Sequence, residues 1–442
     1  MTTAPPHDTS SLPAGSDDED GDPTDLLIRL PAAGTGDRAR RRRRVRRRAR
    51  IHRVSFAAAL TMLTLAVPIL TWIGFREVVE SRSGVLVDQQ RDPDAPGFEA
   101  VVERTPTALV VQLGPDGVPV SVTVLALSPG DAGGAVLFIP VTTVVYAQNG
   151  VAPLAAAYDT GGLAGIRDAT ALLVGIGFDE TIEVDGDRLA TLAAPVAPIA
   201  VDNPDDVEGE DENGKAVTLF PAGRVDLTAE QVAVYLAARG AEESDLARLV
   251  RQQALWEGWL AAVAASADPG VVPGEIEVGI GRFVRGLAAG AVRYETLPVA
   301  AAPPDIAGEG ELFQAQPAAV SAVVADIVPF PVSPVPGARP RVRLLDGGPD
   351  VARRDVAAHI LVRAGAEVDI VGNADRFGYL STSIVYYDPA READATRLRD
   401  ALGVGEMRFE PADSDRTDVT VVLGADFGGG TNTTTTGDGP TG

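Results

Sequence analysis

The stretch TALVVQLGPDGVPVSVTVLALSPGDAGGAVLFI, residues 107–139, reads as three strands joined by two tight turns. Its β-branched runs over 107–113, 118–127 and 135–139 are broken by Gly114-Pro115-Asp116-Gly117 and by the Gly-rich Pro129–Gly134 segment. Glycine and proline clusters between apolar runs of this length mark turns between neighbouring strands. Residues 162–175 downstream are rich in Ala and Leu at helical spacing, and 181–184 is a short strand. Thr228 followed by Gln231 forms a capping box that opens a helix running to Arg239. A second helix spans 242–265, with Leu249, Trp256, Leu260 and Val263 on its buried face, while Arg248 and Gln252, four apart, share another face. Helical patterns near 280–291 and 317–328 complete an α/β domain over 100–330. The acidic segment 202–215 (DNPDDVEGEDENGK) reads as a solvated loop, without the ligand spacing of a Ca²⁺ site.

Residues 331–340 (PVSPVPGARP) read as a semi-extended linker. Strands at 341–345, 367–371, 383–387 and 419–423 alternate beyond it with helices at 351–364 and 390–402, giving a small α/β domain over 341–427. The Gly/Thr-rich tail 428–442 and the first 53 residues carry too little apolar content to bury a core, and both read as disordered.

Residues 54–75 (VSFAAALTMLTLAVPILTWIGF) form an uncharged apolar run directly after eleven arginines between Arg38 and Arg53. A helix of that length crosses a hydrocarbon core of roughly 30 Å. The basic flank stays cytoplasmic, so the sequence predicts a single-pass cell-membrane protein with a cytoplasmic N-terminus, a juxtamembrane linker at 76–99 and both folded domains outside. The arginines also suit contact with anionic membrane lipid. Up to Phe75 there are 12 arginines and 8 acidic residues, a net +4, so the formal charge of −24 leaves −28 for the remainder. Such an exterior excludes nucleic acid as a partner.

Cysteine is absent, His359 is the only histidine after the span, and Lys215 is the only lysine. Thiolate chemistry and a His-rich zinc centre outside are thereby excluded, and a Ser-His-Asp hydrolase is disfavoured. Chemistry outside would have to run on carboxylates, arginines and a hard cation such as Mg²⁺.

The segments GNADRFGYLSTSIVYYDP (372–389) and TDVTVVLGADF (417–427) resemble the LytR C-terminal domain of actinobacterial envelope proteins. At its start the resemblance departs, with Asp346-Gly347-Gly348-Pro349 replacing an Asn-Gly turn. That domain commonly follows a LytR-CpsA-Psr (LCP) domain, and 100–330 carries pieces similar to one: Leu137-Phe138-Ile139-Pro140, Ala155-Ala156-Ala157-Tyr158 with Gly161-Gly162, the run from Leu227 to Tyr235, and Asp245-Leu246-Ala247-Arg248 with Arg251-Gln252-Gln253. The resemblance implies transfer of glycopolymers from polyprenyl-pyrophosphate carriers to peptidoglycan. In that chemistry arginines hold the pyrophosphate, aspartates hold Mg²⁺ and an apolar tunnel holds the lipid.

The departures fall on the chemistry. Thr105-Pro106-Thr107 puts proline where the family has a metal-binding aspartate. Pro140-Val141-Thr142 replaces Pro-Arg-Asp, and Ala237 replaces the first arginine of Arg-x-Arg. Losing two arginines and two metal carboxylates removes most of the charge stabilisation on which phosphoryl transfer depends. No catalytic residue is therefore assigned. The expectation is a degenerate LCP-like domain, a pseudoenzyme needing no cofactor, that serves as an accessory or binding protein in wall glycopolymer assembly. The alternative is an active Mg²⁺-dependent phosphotransferase. Arg239, Arg248 and Arg251 with Asp245 are the candidate site: three guanidinium groups converging on a lipid-linked phosphate, or, for Asp245 and Arg248, a surface ion pair. Partners consistent with this reading are a polyprenyl-phosphate-linked glycan, peptidoglycan or another envelope protein.

Overall fold

The computed structural model describes residues 92–428, except 148–149, 211–213, 241–242, 267, 269–270, 275–276, 308–309, 349 and 412–416. The expected membrane span at 54–75 and both terminal tails lie outside these residues. Among the described residues, no helix is long and apolar enough to cross a membrane.

The strands read from the sequence form β2 (Thr107–Leu113), β3 (Pro119–Leu127) and β4 (Gly134–Ile139), an antiparallel meander in which Leu109 pairs with Val124 and Val124 with Leu137. β7 (Glu180–Val184) adds in parallel beside β2, and β12 (Val292–Thr296) in parallel beside β4, giving a five-stranded sheet of order β12-β4-β3-β2-β7. Both faces of the sheet are apolar because both are covered. Leu109, Val111, Val124 and Ile139 face α1 (Ala156–Val174) and α7 (Pro317–Ile327). Ala108, Val110, Leu125 and Phe138 face α2 (Gly186–Ala193), α3 (Ala229–Ala237), α4 (Asp245–Ala264) and α5 (Gly279–Ala288).

The capping box at the start of α3 is present, with the Thr228 amide donating to Gln231 Oε1 at 2.9 Å. α2 was not expected; Asp185 caps it by accepting from the Arg188 amide at 2.8 Å. The acidic loop needs correction. Its residues close β8 (Ile199–Asn203), which pairs with β11 (Gly223–Leu227), and then form a hairpin of β9 (Val207–Glu210) and β10 (Ala216–Phe220). Val207 and Phe220 anchor the hairpin in the core, while Glu208 points to solvent, where a carboxylate costs little.

The C-terminal residues build a six-stranded sheet around β15 (Arg341–Asp346), with β16 (Glu367–Asn373) and β19 (Val419–Leu423) parallel on either side, then β17 (Ser383–Tyr386) and β18 (Glu406–Phe409). α8 (Val351–Arg363) and α9 (Glu392–Leu402) contribute Leu361 and Leu398 to its core, beside Leu344, Val421 and Ile384. The sixth strand comes from far upstream. β1 (Glu99–Val101), in the stretch read as juxtamembrane linker and domain start, pairs antiparallel with β16. The proline-rich 331–340 stretch is docked: Val332 O accepts from the Gly177 amide at 2.8 Å, and Arg339 donates to Gly175 O at 2.7 Å and Ala366 O at 2.9 Å.

Candidate functional site

α4 begins at Asp245, after Ser244, whose hydroxyl accepts from the Ala247 amide. Asp245 is fully buried (0 % exposed). Its Oδ2 accepts from the Thr142 amide at 3.1 Å and the Thr142 hydroxyl at 2.9 Å, while Oδ1 takes Arg248, one turn along. The Asp245 amide donates to Glu311 Oε2 at 3.0 Å, and Arg239 donates to the same oxygen at 2.8 Å. Arg248 is 5 % exposed and its Nε finds no acceptor.

Arg251 is 3 % exposed and spent on internal partners: Tyr235 O at 3.2 Å, Ala238 O, and the Glu243 carboxylate. Its guanidinium lies 5.7 Å from the centre of the Tyr235 ring. Tyr235 is itself buried and donates its hydroxyl to Asn203 Oδ1 at 2.9 Å. Of the three candidate arginines only Arg239 reaches the surface, with a side chain 40 % exposed. It donates to Glu243 O at 3.0 Å and pairs with Glu311. The four candidates thus sit in one connected network, but two of the three guanidinium groups face inward. The expected surface pair Asp245–Arg248 is an ion pair, and it is buried. A cleft of about 670 Å³ over Arg251 is walled by Asp205, Asp206, Glu208 and Glu243, a lining that repels an anion.

On the sheet face covered by α2–α5, Tyr235, Trp256, Trp259 and Phe283 fill the interior. They leave a cavity of about 20 Å³ lined in part by Gln112, Ser121 and Thr123. That is room for one water and not for an acyl chain.

Residues 123–268 match the model of the LytR_cpsA_psr family, and residues 339–427 match that of the LytR cell envelope-related transcriptional attenuator. The chain thus carries a match to the LCP family followed by a match to the LytR C-terminal family. Among solved structures, Bacillus subtilis TagV is 18 % identical, with 51 % of this chain and 96 % of that one covered and a TM-score of 0.41. A transcriptional regulator from Enterococcus faecalis is 17 % identical, with 51 % and 86 % covered and a TM-score of 0.41. B. subtilis TagT is 16 % identical, with 55 % and 94 % covered and a TM-score of 0.39. No curated protein matches the chain.

The residues standing at the metal positions expected from the resemblance are Pro106, ahead of the matched stretch, and Thr142, within it, and neither carries a carboxylate. The Thr142 hydroxyl is already donating to Asp245. Beside Pro106, Thr105 Oγ1 accepts from the Phe330 amide at 3.1 Å, and the Thr107 hydroxyl lies 3.3 Å from Gly177 O. Asp179 accepts from the Thr107 amide at 2.8 Å, tying β2 to the turn before β7. This donor set does not fit Mg²⁺, which prefers free carboxylates and bound waters. Tyr158, in the Ala-Ala-Ala-Tyr segment, donates to Glu183 at 2.7 Å, and this hydrogen bond raises its pKa. Sequence reasoning missed Glu243 and Glu311, the carboxylates that occupy Arg251 and Arg239. A signal for Glu243 was available, because Glu243 immediately precedes the Ser244 cap.

Proposed function

We propose that this chain is a membrane-anchored, extracytoplasmic envelope protein whose LCP domain works as a binding or accessory module in wall glycopolymer assembly and performs no phosphoryl transfer. One observation carries the reading. Thr142, standing where the resembled family has its Pro-Arg-Asp aspartate, donates twice to Asp245 and so helps lock Asp245 and Arg248 into a buried pair. A buried, mutually satisfied pair cannot move toward developing charge on a phosphate without losing its own partners. The filled interior beside α3–α5 supports the same reading, because a polyprenyl chain would find about 20 Å³ there. The partner is then engaged at the surface, through the glycan of a carrier-linked precursor, through peptidoglycan or through another envelope protein.

The decisive experiment incubates purified full-length protein in detergent with a short-chain polyprenyl-pyrophosphate glycan and Mg²⁺. No carrier phosphate is released above the no-protein control if the proposal holds. Mg²⁺-dependent release above that control would establish the phosphotransferase alternative.

A further inference from the structure

Gly372-Asn373-Ala374 is the segment that marks the LytR C-terminal domain in the sequence, and nothing above gives it a role. In the structure it is occupied. Asn373 is 1 % exposed. Its Nδ2 donates at 2.8 Å both to Pro93 O and to Ala95 O, and its amide donates to Phe98 O at 2.8 Å. Arg354 fixes the orientation of the amide group by donating to Asn373 Oδ1 at 2.9 Å. Ala374 O accepts from the Gly97 amide at 2.8 Å. A side chain on Gly372 would put its Cβ 2.1 Å from Phe98 O, so only glycine lets the incoming strand approach this closely. Farther along, the Val102 amide donates to Asp369 O at 2.9 Å, and Val102 packs against the core of this sheet. Charges close both ends: Glu99 pairs with Arg343, and Arg104 with Glu367 at 3.1 Å.

We propose that Gly372-Asn373-Ala374, with the β16 edge, is a receptor for an extended peptide, and that residues 93–104 of this same chain are its occupant. The contacts that Gly372, Asn373 and Ala374 make with residues 93–98 all go to main-chain atoms of that segment, as strand addition to a sheet edge requires. Selectivity comes from the two charge pairs and from Val102. Val101, whose side chain is exposed, adds nothing to recognition. The LytR C-terminal domain is therefore completed by chain that precedes the LCP domain, and its edge is covered instead of being open to other strands.

The test uses the full chain in detergent with a protease site inserted between Arg104 and Thr105. After cutting, fragment 1–104 stays bound to 105–442 through gel filtration, and excess synthetic peptide 92–104 displaces it. Asn373→Ala reduces the retained fragment at least tenfold. Val102→Pro, which leaves the receptor untouched and removes one ladder donor, reduces it as well. Gly372→Val drives a side chain into Phe98 O and puts folding itself at risk, so those two variants carry the result. Spontaneous loss of the wild-type fragment from a folded 105–442, or full retention in Asn373→Ala, overturns the proposal. A dimer that the peptide splits would assign the strand to a second copy and overturn the same-chain occupant.

Discussion

Thr142 donates to a single oxygen of Asp245 from two atoms, its amide at 3.1 Å and its hydroxyl at 2.9 Å. The pairing ties the end of the β4 strand region to the first residue of α4. It also explains how a carboxylate can be wholly buried, since Arg248 neutralises the other oxygen. Asp245→Ala leaves Arg248 buried without its counter-charge and should cost about 3–5 kcal/mol. Thr142→Val keeps the shape and removes one donor, so it should cost about 1–3 kcal/mol. Urea unfolding of the purified protein measures both. A loss under about 1 kcal/mol for Asp245→Ala would mean that the pair is not structural.

Tyr235 and Asn203 offer an independent check on how tightly the arginine network is built. Tyr235→Phe leaves the apolar packing against Phe220, whose ring centroid is 5.1 Å away, and removes only the hydroxyl that donates to Asn203. The expected cost is about 1–2 kcal/mol, with no change in the urea m-value. Asn203 Nδ2 keeps its bonds to Asp205 O and Pro221 O, so the β8 end should stay in place.

Acid should first strengthen and then weaken the fold around β16. Burial, and then the charge of Asp369, raises the Glu367 pKa; burial likewise raises that of Asp369. A raised folded-state value contributes stability that is fully present below the unfolded pKa and lost as pH rises through the folded one. Asp418 runs the other way: burial opposes its charge, but hydrogen bonds from Arg341 outweigh burial and hold its pKa low. Its contribution is present above the unfolded value and lost as pH falls through the folded one. The melting temperature should therefore rise from neutral pH toward about pH 4.5 and fall below about pH 3.5. Glu367→Gln with Asp369→Asn should flatten the upper arm and spare the lower one. A monotonic fall from pH 7 in the wild type would refute this assignment.

Arg339→Ala should loosen the docked 331–340 stretch. It deprives Gly175 O, Val362 O and Ala366 O of a shared charged donor. A loss of about 2–4 kcal/mol is expected, and Arg339→Lys should restore little of it, because an ammonium cannot span three carbonyls in this geometry. Amide exchange at Gly177, which donates to Val332 O, should rise in both variants.

Much of the fold is legible in the residues, and the failures have physical causes. The meander from Thr107 to Ile139 is readable because its apolar runs and Gly-Pro-Asp-Gly turn are local signals. The β9–β10 hairpin is not, because an exposed hairpin tolerates carboxylates that otherwise mark a loop, and only Val207 and Phe220 anchor it. Strand β1 is invisible for a different reason: three residues cannot announce a partner that lies some 270 positions away. The candidate site was half legible. The three-residue spacing of Asp245 and Arg248 predicts their pairing, but their burial depends on Thr142 and Glu311 arriving from elsewhere in the chain.

The position of β1 also sets an order of events during synthesis. The chain lays down the first strand of one sheet, then builds the whole of another, and only afterwards supplies β16 to receive that strand. Closing so long a loop has an entropic cost that grows slowly with length, but it cannot begin before the partner exists. The domain over residues 105–330 is thus free to fold first as an insert, while residues 93–102 wait unpaired. The last sheet to be completed is the one whose edge was made first.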